Sequence, residues 1–202
     1  MIDSFLSIEN ASEGLYKEKG SKFIGLAFPV QKEEDVKKIL AVVKKEHFGA
    51  RHWCYAWRLG AEKKHFRSND DGEPSGTAGK PILGQIIAAE LSDVLIIVVR
   101  YFGGTLLGTG GLIIAYKSAA AEAIGHARIV TRYVTKMMRV KFDTPHMNEI
   151  MRRLKEYDAE IIEHTFDEQN EITFWMRLSN AEKLRSLIEQ NNIPCQLSEI
   201  QN

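Results

Sequence analysis

Two glycine-rich stretches, separated by a continuous apolar run, are the feature that most constrains how this chain folds. The first covers residues 69–79, the second covers residues 103–111, and the apolar run extends from Val94 to Val99. Each glycine-rich stretch leads into a segment with helical patterning. A glycine loop that opens a helix presents unpaired backbone N–H groups, which suit an anion. The sequence therefore predicts helices and strands joined by loops that form a candidate anion site.

The N-terminal part of the chain is predicted to alternate strands and helices. Apolar residues recur at helical spacing or alternate as in strands, and Gly and Pro mark the turns between them. The predicted elements are a hairpin about Gly20 and Ser21, a helix over residues 33–48, a strand over 51–59, a polar loop over 61–76, a helix over 78–90 with Thr77 as its N-cap, a buried strand over 93–101 and an alanine-rich helix over 111–124.

From Arg128 onward the pattern changes to that of a second domain. The predicted elements are an extended run over residues 129–142, a helix over 146–157, strands over 160–166 and 171–178 joined by a turn at 167–170, a helix over 180–190 and a strand over 195–200. This β-α-β-β-α-β order is that of a ferredoxin-like module. We therefore predict an α+β fold with one domain over residues 1–130 and a ferredoxin-like domain over residues 131–202.

Composition excludes several classes of protein. The 202 residues include 27 basic and 27 acidic side chains, so a strongly electrostatic DNA-binding protein is disfavoured. The two cysteines, Cys54 and Cys195, show no zinc-binding spacing. We see no signal peptide at the N-terminus, and the apolar stretches are too short to span a bilayer. We expect a cytoplasmic protein with no membrane association and reduced thiols.

The second glycine-rich stretch matches two phosphate-binding motifs only in part. Gly103 and Gly108 have the spacing of a P-loop, but Thr109 and Gly110 stand where that motif needs Lys followed by Ser or Thr. A dinucleotide-binding fingerprint needs glycine where Ile113 stands. Nucleotide hydrolysis is therefore disfavoured. Either the loop N–H groups hold a single phosphate, or the glycines only permit tight turns and close packing.

Candidate anion- or nucleic-acid-binding residues lie on this loop and among nearby side chains. Those on the loop are Gly103, Gly104, Thr105, Gly108, Thr109, Gly110 and Gly111, and those that add charge or a stacking surface are Arg51, His52, Trp53, Lys80 and Arg100. An alternative applies to the strand over residues 51–59, because its aromatic face, including Trp53 and Tyr55, could instead pack under a helix. Cys54 is interpreted as a small buried hydrophobic residue.

The first glycine-rich stretch is acidic, with Asp70, Asp71 and Glu73. Its spacing does not fit a calcium loop, so no metal site is expected. We predict no other cofactor either. Carboxylates before a helix can cap it or hold a neighbouring basic side chain. The remaining alternative is acid–base chemistry together with His52, which would make the protein a small-molecule hydrolase.

Four blocks of this sequence resemble the IMPACT/YigZ family. The blocks are Lys19-Gly-Ser-Lys-Phe-Ile24, Ala50-Arg-His-Trp-Cys-Tyr-Ala-Trp57, residues 69–81, and residues 98–112 with Ala115 and Tyr116 closing the last. The last two blocks are long and specific, and the resemblance covers essentially the whole chain. It implies an N-terminal domain similar to the fourth domain of elongation factor G and a C-terminal domain similar to the last domain of that factor.

Since both of those domains act on the ribosome, the resemblance implies binding of RNA or ribosomes. We expect a non-catalytic protein that modulates translation, and a module for binding another protein remains an alternative. Eukaryotic members also carry an RWD domain, which binds a partner in starvation signalling. The chain has no room for that domain, so we do not expect this partner activity.

Overall fold

The computed structural model describes residues 2–166 and 169–200. The chain divides into two compact units. Residues 5–132 form one, and residues up to 4 together with residues from 133 onward form the other. Within the described ranges, no helix has both the length and the apolar character needed to cross a bilayer.

The first unit is built on a five-stranded sheet with the strand order β2-β3-β6-β4-β5, and all its neighbouring strands are antiparallel. Strands β1 and β7 form a separate pair. The elements are β1 (Ser4–Ile8), β2 (Ser12–Glu18), β3 (Ser21–Pro29), α1 (Glu33–Glu46), β4 (His52–Leu59), β5 (His65–Asn69), α2 (Gly79–Ala88), β6 (Val94–Tyr101), α3 (Gly108–Gly125) and β7 (Ile129–Tyr133).

Strand β4 shows how the two faces of this sheet are used. Cys54 and Ala56 lie in the core that the sheet shares with α2 and α3. Trp53, Tyr55 and Trp57 lie in a second core, on the face that packs against α1. Side chains of a strand alternate between faces, so this division was readable from the sequence and is confirmed.

The second unit has the predicted β-α-β-β-α-β order, and the α+β fold class is confirmed. Its antiparallel sheet has the order β11-β8-β10-β9 and a core of its own. The elements are β8 (Thr135–Phe142), a 3₁₀ turn (Thr144–His146), α4 (Met147–Glu156), β9 (Glu160–Phe166), β10 (Asn170–Arg177), α5 (Leu178–Gln190) and β11 (Cys195–Glu199). The predicted turn at Asp167 and Glu168 lies outside the described residues.

Two sequence-based predictions about the strands were wrong. The segment predicted as a polar loop contains β5. This strand pairs with β4 in antiparallel register, with Asn69 opposite Tyr55 and His65 opposite Leu59. Most of β5 is solvent-exposed, so it lacks the apolar alternation that identifies a strand. The extended run over residues 129–142 is two strands, β7 and β8, which belong to different sheets.

Glycine at position 25 allows α3 to approach the sheet closely. A Cβ atom added to Gly25 would lie 2.2 Å from the carbonyl oxygen of Ala119. A contact that short requires the helix to move away from the strand. By contrast, a Cβ atom added to Gly84 on the exposed side of α2 meets nothing within 4 Å.

We predict opposite effects for alanine at these two positions. Gly25→Ala is expected to lower the free energy of unfolding by roughly 1–3 kcal/mol, because it overpacks the interface between β3 and α3. Gly84→Ala is expected to raise it by about 0.5–1 kcal/mol, because alanine loses less backbone entropy in a helix. Urea unfolding of both variants measures the difference. Equal stabilities would contradict the close approach of α3 at Gly25.

Candidate functional site

Both glycine-rich stretches border one cavity in the first unit, with a volume of about 510 Å³. We call it the α3 cavity, since the first residues of α3 form one side of it. It is lined by Arg51, His52, Gly72, Glu73, Pro74, Arg100, Phe102, Leu106, Leu107, Gly108, Thr109 and Leu112. Glu73, Arg100 and Leu112 are buried and form its inner wall.

A buried ion pair lies at this inner wall. Arg100 Nη1 donates a hydrogen bond to Glu73 Oε1 at 2.5 Å, and both side chains are almost fully buried. Tyr116 Oη donates to the same carboxylate oxygen at 2.7 Å. Burial, with Cys54 and Glu73 nearby, raises the pKa of Tyr116, so its hydroxyl stays protonated and remains a donor. The Arg100 guanidinium also lies 5.4 Å from the Phe23 ring and 5.6 Å from the Phe102 ring.

His52 is held with one ring nitrogen towards Glu73. Its Nδ1 lies 2.8 Å from the carbonyl oxygen of Asp71, which only accepts hydrogen bonds, so Nδ1 carries the proton. Its Nε2 lies 3.8 Å from Glu73 Oε1. Asp71 itself has a φ of 43°, which is uncommon for a residue with a side chain. Asp71 therefore orients His52 through a strained backbone segment next to the cavity.

The first two acids of the acidic stretch are used by the fold itself. The Asp70 carboxylate accepts N–H bonds from Gly76, Ala78 and Gly79 at 2.8–3.0 Å and so caps α2. Burial alone would raise the pKa of Asp70, but these three N–H donors lower it below its ordinary value. Thr77 was predicted as the N-cap, and this is wrong, because its hydroxyl donates to the carbonyl of Pro74.

Asp71 is occupied as well. Its carboxylate accepts the N–H of Trp53 at 2.8 Å and lies 3.3 Å from Lys44 Nζ. Of the three acids that a hydrolase would have used, only Glu73 reaches the α3 cavity with His52. Within residues 2–166 and 169–200, no three His, Cys, Asp or Glu side chains are grouped to hold a metal ion. These contacts favour a structural role for the acidic stretch.

The second glycine-rich stretch divides into a loop and a helix start. Gly103 packs against Gly20, and its N–H donates to Ser21 Oγ at 3.1 Å. Helix α3 begins at Gly108, three residues earlier than the sequence predicted, and Gly108 has a φ of 70°, which glycine adopts without strain. The first residues of α3, Gly108, Thr109 and Gly110, are exposed.

Among residues 2–166 and 169–200, no side chain caps the N-terminus of α3. Its N-cap residue, Leu107, makes no side-chain capping bond, and the first turn contains no acidic residue. The first N–H groups of a helix have no partner within the helix, and they carry the positive end of its dipole. Gly108 and Thr109 therefore present positive partial charge at one side of the α3 cavity.

The structure brings five of the twelve predicted anion-binding residues to the α3 cavity. Those that line it are Arg51, His52, Arg100, Gly108 and Thr109. Gly104, Thr105 and Gly110 are exposed nearby in the sequence but do not line it, and Gly103 and Gly111 serve close packing against Gly20 and Leu107. Lys80 is exposed on α2.

Trp53 lies on the opposite face of the sheet from His52. It packs in the core against α1, and Lys44 Nζ lies 5.3 Å from the centre of its ring. Cys54 is fully buried, and its thiol donates to the Asp70 carbonyl oxygen at 3.0 Å. Burial, together with the nearby carboxylates of Glu73, Asp71 and Asp70, raises the pKa of the Cys54 thiol.

Four residues that shape the site were not predicted from the sequence. These are Tyr116, Phe102, Leu106 and Leu112. A tyrosine among small residues on the buried face of an alanine-rich helix was the available signal for Tyr116, since a buried hydroxyl needs a partner. Leu106 gave no signal, because an isolated exposed leucine is ordinary.

The fold and the cavity define an α+β protein in which two glycine-rich loops meet beside an uncapped helix. Residues 19–124 match the family model described as the Impact N-terminal domain, and this segment contains every residue that lines the α3 cavity. The chain belongs to the IMPACT family.

Known proteins resemble the chain to different extents. The IMPACT family member YvyE of Bacillus subtilis is 35% identical over 156 residues, which are 77% of this chain and 72% of that protein. The IMPACT family member YigZ of Escherichia coli is 43% identical over 108 residues, which are 52% and 53% of the two chains. A crystal structure described as a hypothetical protein superposes with a TM-score of 0.74 at 28% identity and covers 100% of both chains.

Replacing the Asp70 cap is predicted to make stability less dependent on acid pH. Asp70→Asn removes a carboxylate that accepts three N–H groups, so we expect a loss of about 1 kcal/mol at pH 7. Because the folded-state pKa is the lower one, the carboxylate stabilises the fold fully above about pH 4 and loses this effect as pH falls through the folded-state pKa.

The measurement is the unfolding free energy of parent and variant at pH 7 and near pH 3. The difference is expected to be larger at pH 7. Glu62→Gln, on an exposed turn, serves as the control and is expected to change little at either pH. A difference that grows towards acid pH would contradict the capping role of Asp70.

Removing the charge of Glu73 is predicted to be strongly destabilising. Glu73→Gln leaves the buried Arg100 guanidinium without a counter-charge, which we expect to cost about 3 kcal/mol or more. Glu199→Gln breaks the exposed pair with Lys136 and is expected to cost less than about 1 kcal/mol. Thermal or urea unfolding compares them, and similar costs for the two variants would contradict the buried pair.

Proposed function

We propose that the protein binds single-stranded RNA, free or within the ribosome, through the α3 cavity and thereby modulates translation without catalysing a reaction. The observation that carries this proposal is the uncapped N-terminus of α3, which opens onto a cavity also lined by Arg51 and Arg100. Main-chain N–H groups at a helix start, together with arginine, are the usual partners of a backbone phosphate.

The charges around the cavity support a contact of limited strength. Arg100 is neutralised by Glu73, whereas Arg51 is exposed and forms no ion pair within the described residues. The unpaired positive charge therefore comes from Arg51 and from the helix N-terminus. With no net charge on the whole chain, binding must depend on a few local phosphate contacts.

The proposed link to translation depends on the resemblance to ribosome-acting domains set out above. The uses of Asp70 and Asp71 within the fold favour a binding role over a hydrolase. Binding of a protein partner is compatible with this proposal. We propose that the protein acts in the cytoplasm.

The proposal predicts a shallow dependence of RNA affinity on salt. For single strands, log K falls by about 0.7 per phosphate contact for each unit of log salt, so two or three contacts give a slope of roughly −1.4 to −2. Arg51→Ala is expected to make the slope shallower by about 0.7 and to weaken binding about tenfold at low salt. Fluorescence anisotropy with a labelled single-stranded RNA measures both quantities.

Arg67→Ala is the matched control, since Arg67 is an exposed arginine on β5 that does not line the cavity. It is expected to leave affinity and slope nearly unchanged. Sedimentation of the protein with isolated ribosomes tests the ribosome in parallel. The proposed function is overturned if the protein shows saturable binding to neither RNA nor ribosomes.

A further inference from the structure

The α3 cavity contains a buried polar group that the fold does not use. Arg100 is only 5% exposed and lines the cavity, and its Nε has no hydrogen-bond partner within the described residues. A buried N–H without a partner costs free energy, and because this Nε is also shielded from solvent, an acceptor from outside reaches it only if the surrounding side chains move. An accepting group of a ligand at the inner wall would relieve this cost, independently of any contact with the helix N-terminus.

The shape of the cavity favours the end of a nucleic-acid strand over its middle. Buried residues Glu73, Arg100 and Leu112 close the inner wall, while exposed residues such as Arg51 and Leu106 surround the opening. A strand that continues in both directions needs a groove that is open at two ends. A cavity of about 510 Å³ with a buried inner wall suits one nucleotide.

The charge distribution agrees with a terminal phosphate. A phosphate monoester carries a charge of about −1.5 to −2 at pH 7, whereas an internal phosphodiester carries one negative charge. Arg51 supplies one positive charge that no protein carboxylate neutralises within the described residues, and the N-terminus of α3 adds about +0.5. The sum of these charges matches a monoester more closely than a diester.

The opening of the cavity also has the surface that a nucleobase needs. Phe102 is 41% exposed and Leu106 is 83% exposed, although both are apolar. The guanidinium of Arg51 lies 6.0 Å from the centre of the Phe102 ring, so a cation and an aromatic ring are neighbours at the opening. Bases stack on aromatic rings and arginine planes with little dependence on sequence.

We infer that the α3 cavity binds a nucleotide with a phosphate monoester, with the phosphate at the N-terminus of α3 and Arg51 and the base against Phe102 and Leu106. This inference rests on the proposed function and narrows it. The nucleotide is the phosphorylated end of a single-stranded RNA, and a free nucleoside monophosphate has the same chemistry.

The test compares three internally labelled single-stranded RNAs of one sequence by anisotropy with the full chain. One has a 5′-phosphate, one has a 3′-phosphate, and one has hydroxyl groups at both ends. At least one phosphorylated RNA is expected to bind tenfold or more tightly than the dihydroxyl RNA. Arg51→Ala is expected to abolish this preference, and Arg67→Ala is expected to retain it.

Competition experiments separate the sources of the ligand. Uridine monophosphate is expected to displace the phosphorylated RNA at lower concentration than uridine or inorganic phosphate does. Leu106→Ala is expected to lower the affinity for uridine monophosphate several-fold and to leave the affinity for inorganic phosphate unchanged. Leu15→Ala, at another exposed leucine outside the cavity, serves as the control.

Each outcome distinguishes this inference from the proposed function. Equal affinity for the three RNAs overturns the inference and leaves RNA binding intact. Competition by inorganic phosphate as strong as that by uridine monophosphate overturns the contact with the base. If uridine monophosphate binds in a calorimeter but no RNA or ribosome does, the inference stands with a free nucleotide as ligand and the proposed function fails. If none of them binds, both are overturned.

Discussion

The buried ion pair between Glu73 and Arg100 is the interaction on which the site depends. Removing both charges from water costs several kcal/mol per ion, and the Tyr116 hydroxyl helps to offset that cost. Through these three residues the acidic stretch, β6 and α3 are joined at one carboxylate. Arg100 is paired with a carboxylate in this way, whereas Arg51 forms no ion pair within the described residues.

The two helices that follow the glycine-rich stretches differ in how their N-termini are capped. Asp70 fills the N-terminus of α2 with a carboxylate from within the chain, so that end is unavailable to an outside anion. In the part of the chain that the structure describes, no side chain caps helix α3, and its first turn contains no acidic residue. The two glycine-rich stretches therefore differ in structure, since a carboxylate of the first caps the helix that follows it and the second supplies no such cap.

Periodicity was sufficient to predict most elements and the two faces of β4, because those signals lie within a few neighbouring residues. It identified an aromatic face with Trp53 and Tyr55, and the structure places His52 on the opposite face. The contacts that make the site were beyond it. Glu73 and Arg100 are 27 residues apart, and the Asp70 carboxylate reaches nine residues along the chain to Gly79. Such contacts depend on how the loop folds back on itself. Local sequence does not show this, and Thr77 was therefore predicted as the N-cap in place of Asp70.

The burial of Cys54 has a practical consequence for studying this chain. Its thiol is enclosed in the core and held in the protonated form, whereas Cys195 on β11 is partly exposed. A maleimide dye added to the folded protein will therefore attach to the ferredoxin-like unit first. Fluorescent or spin probes can be introduced there without mutagenesis, and the chemistry around the glycine loops stays that of the unlabelled molecule.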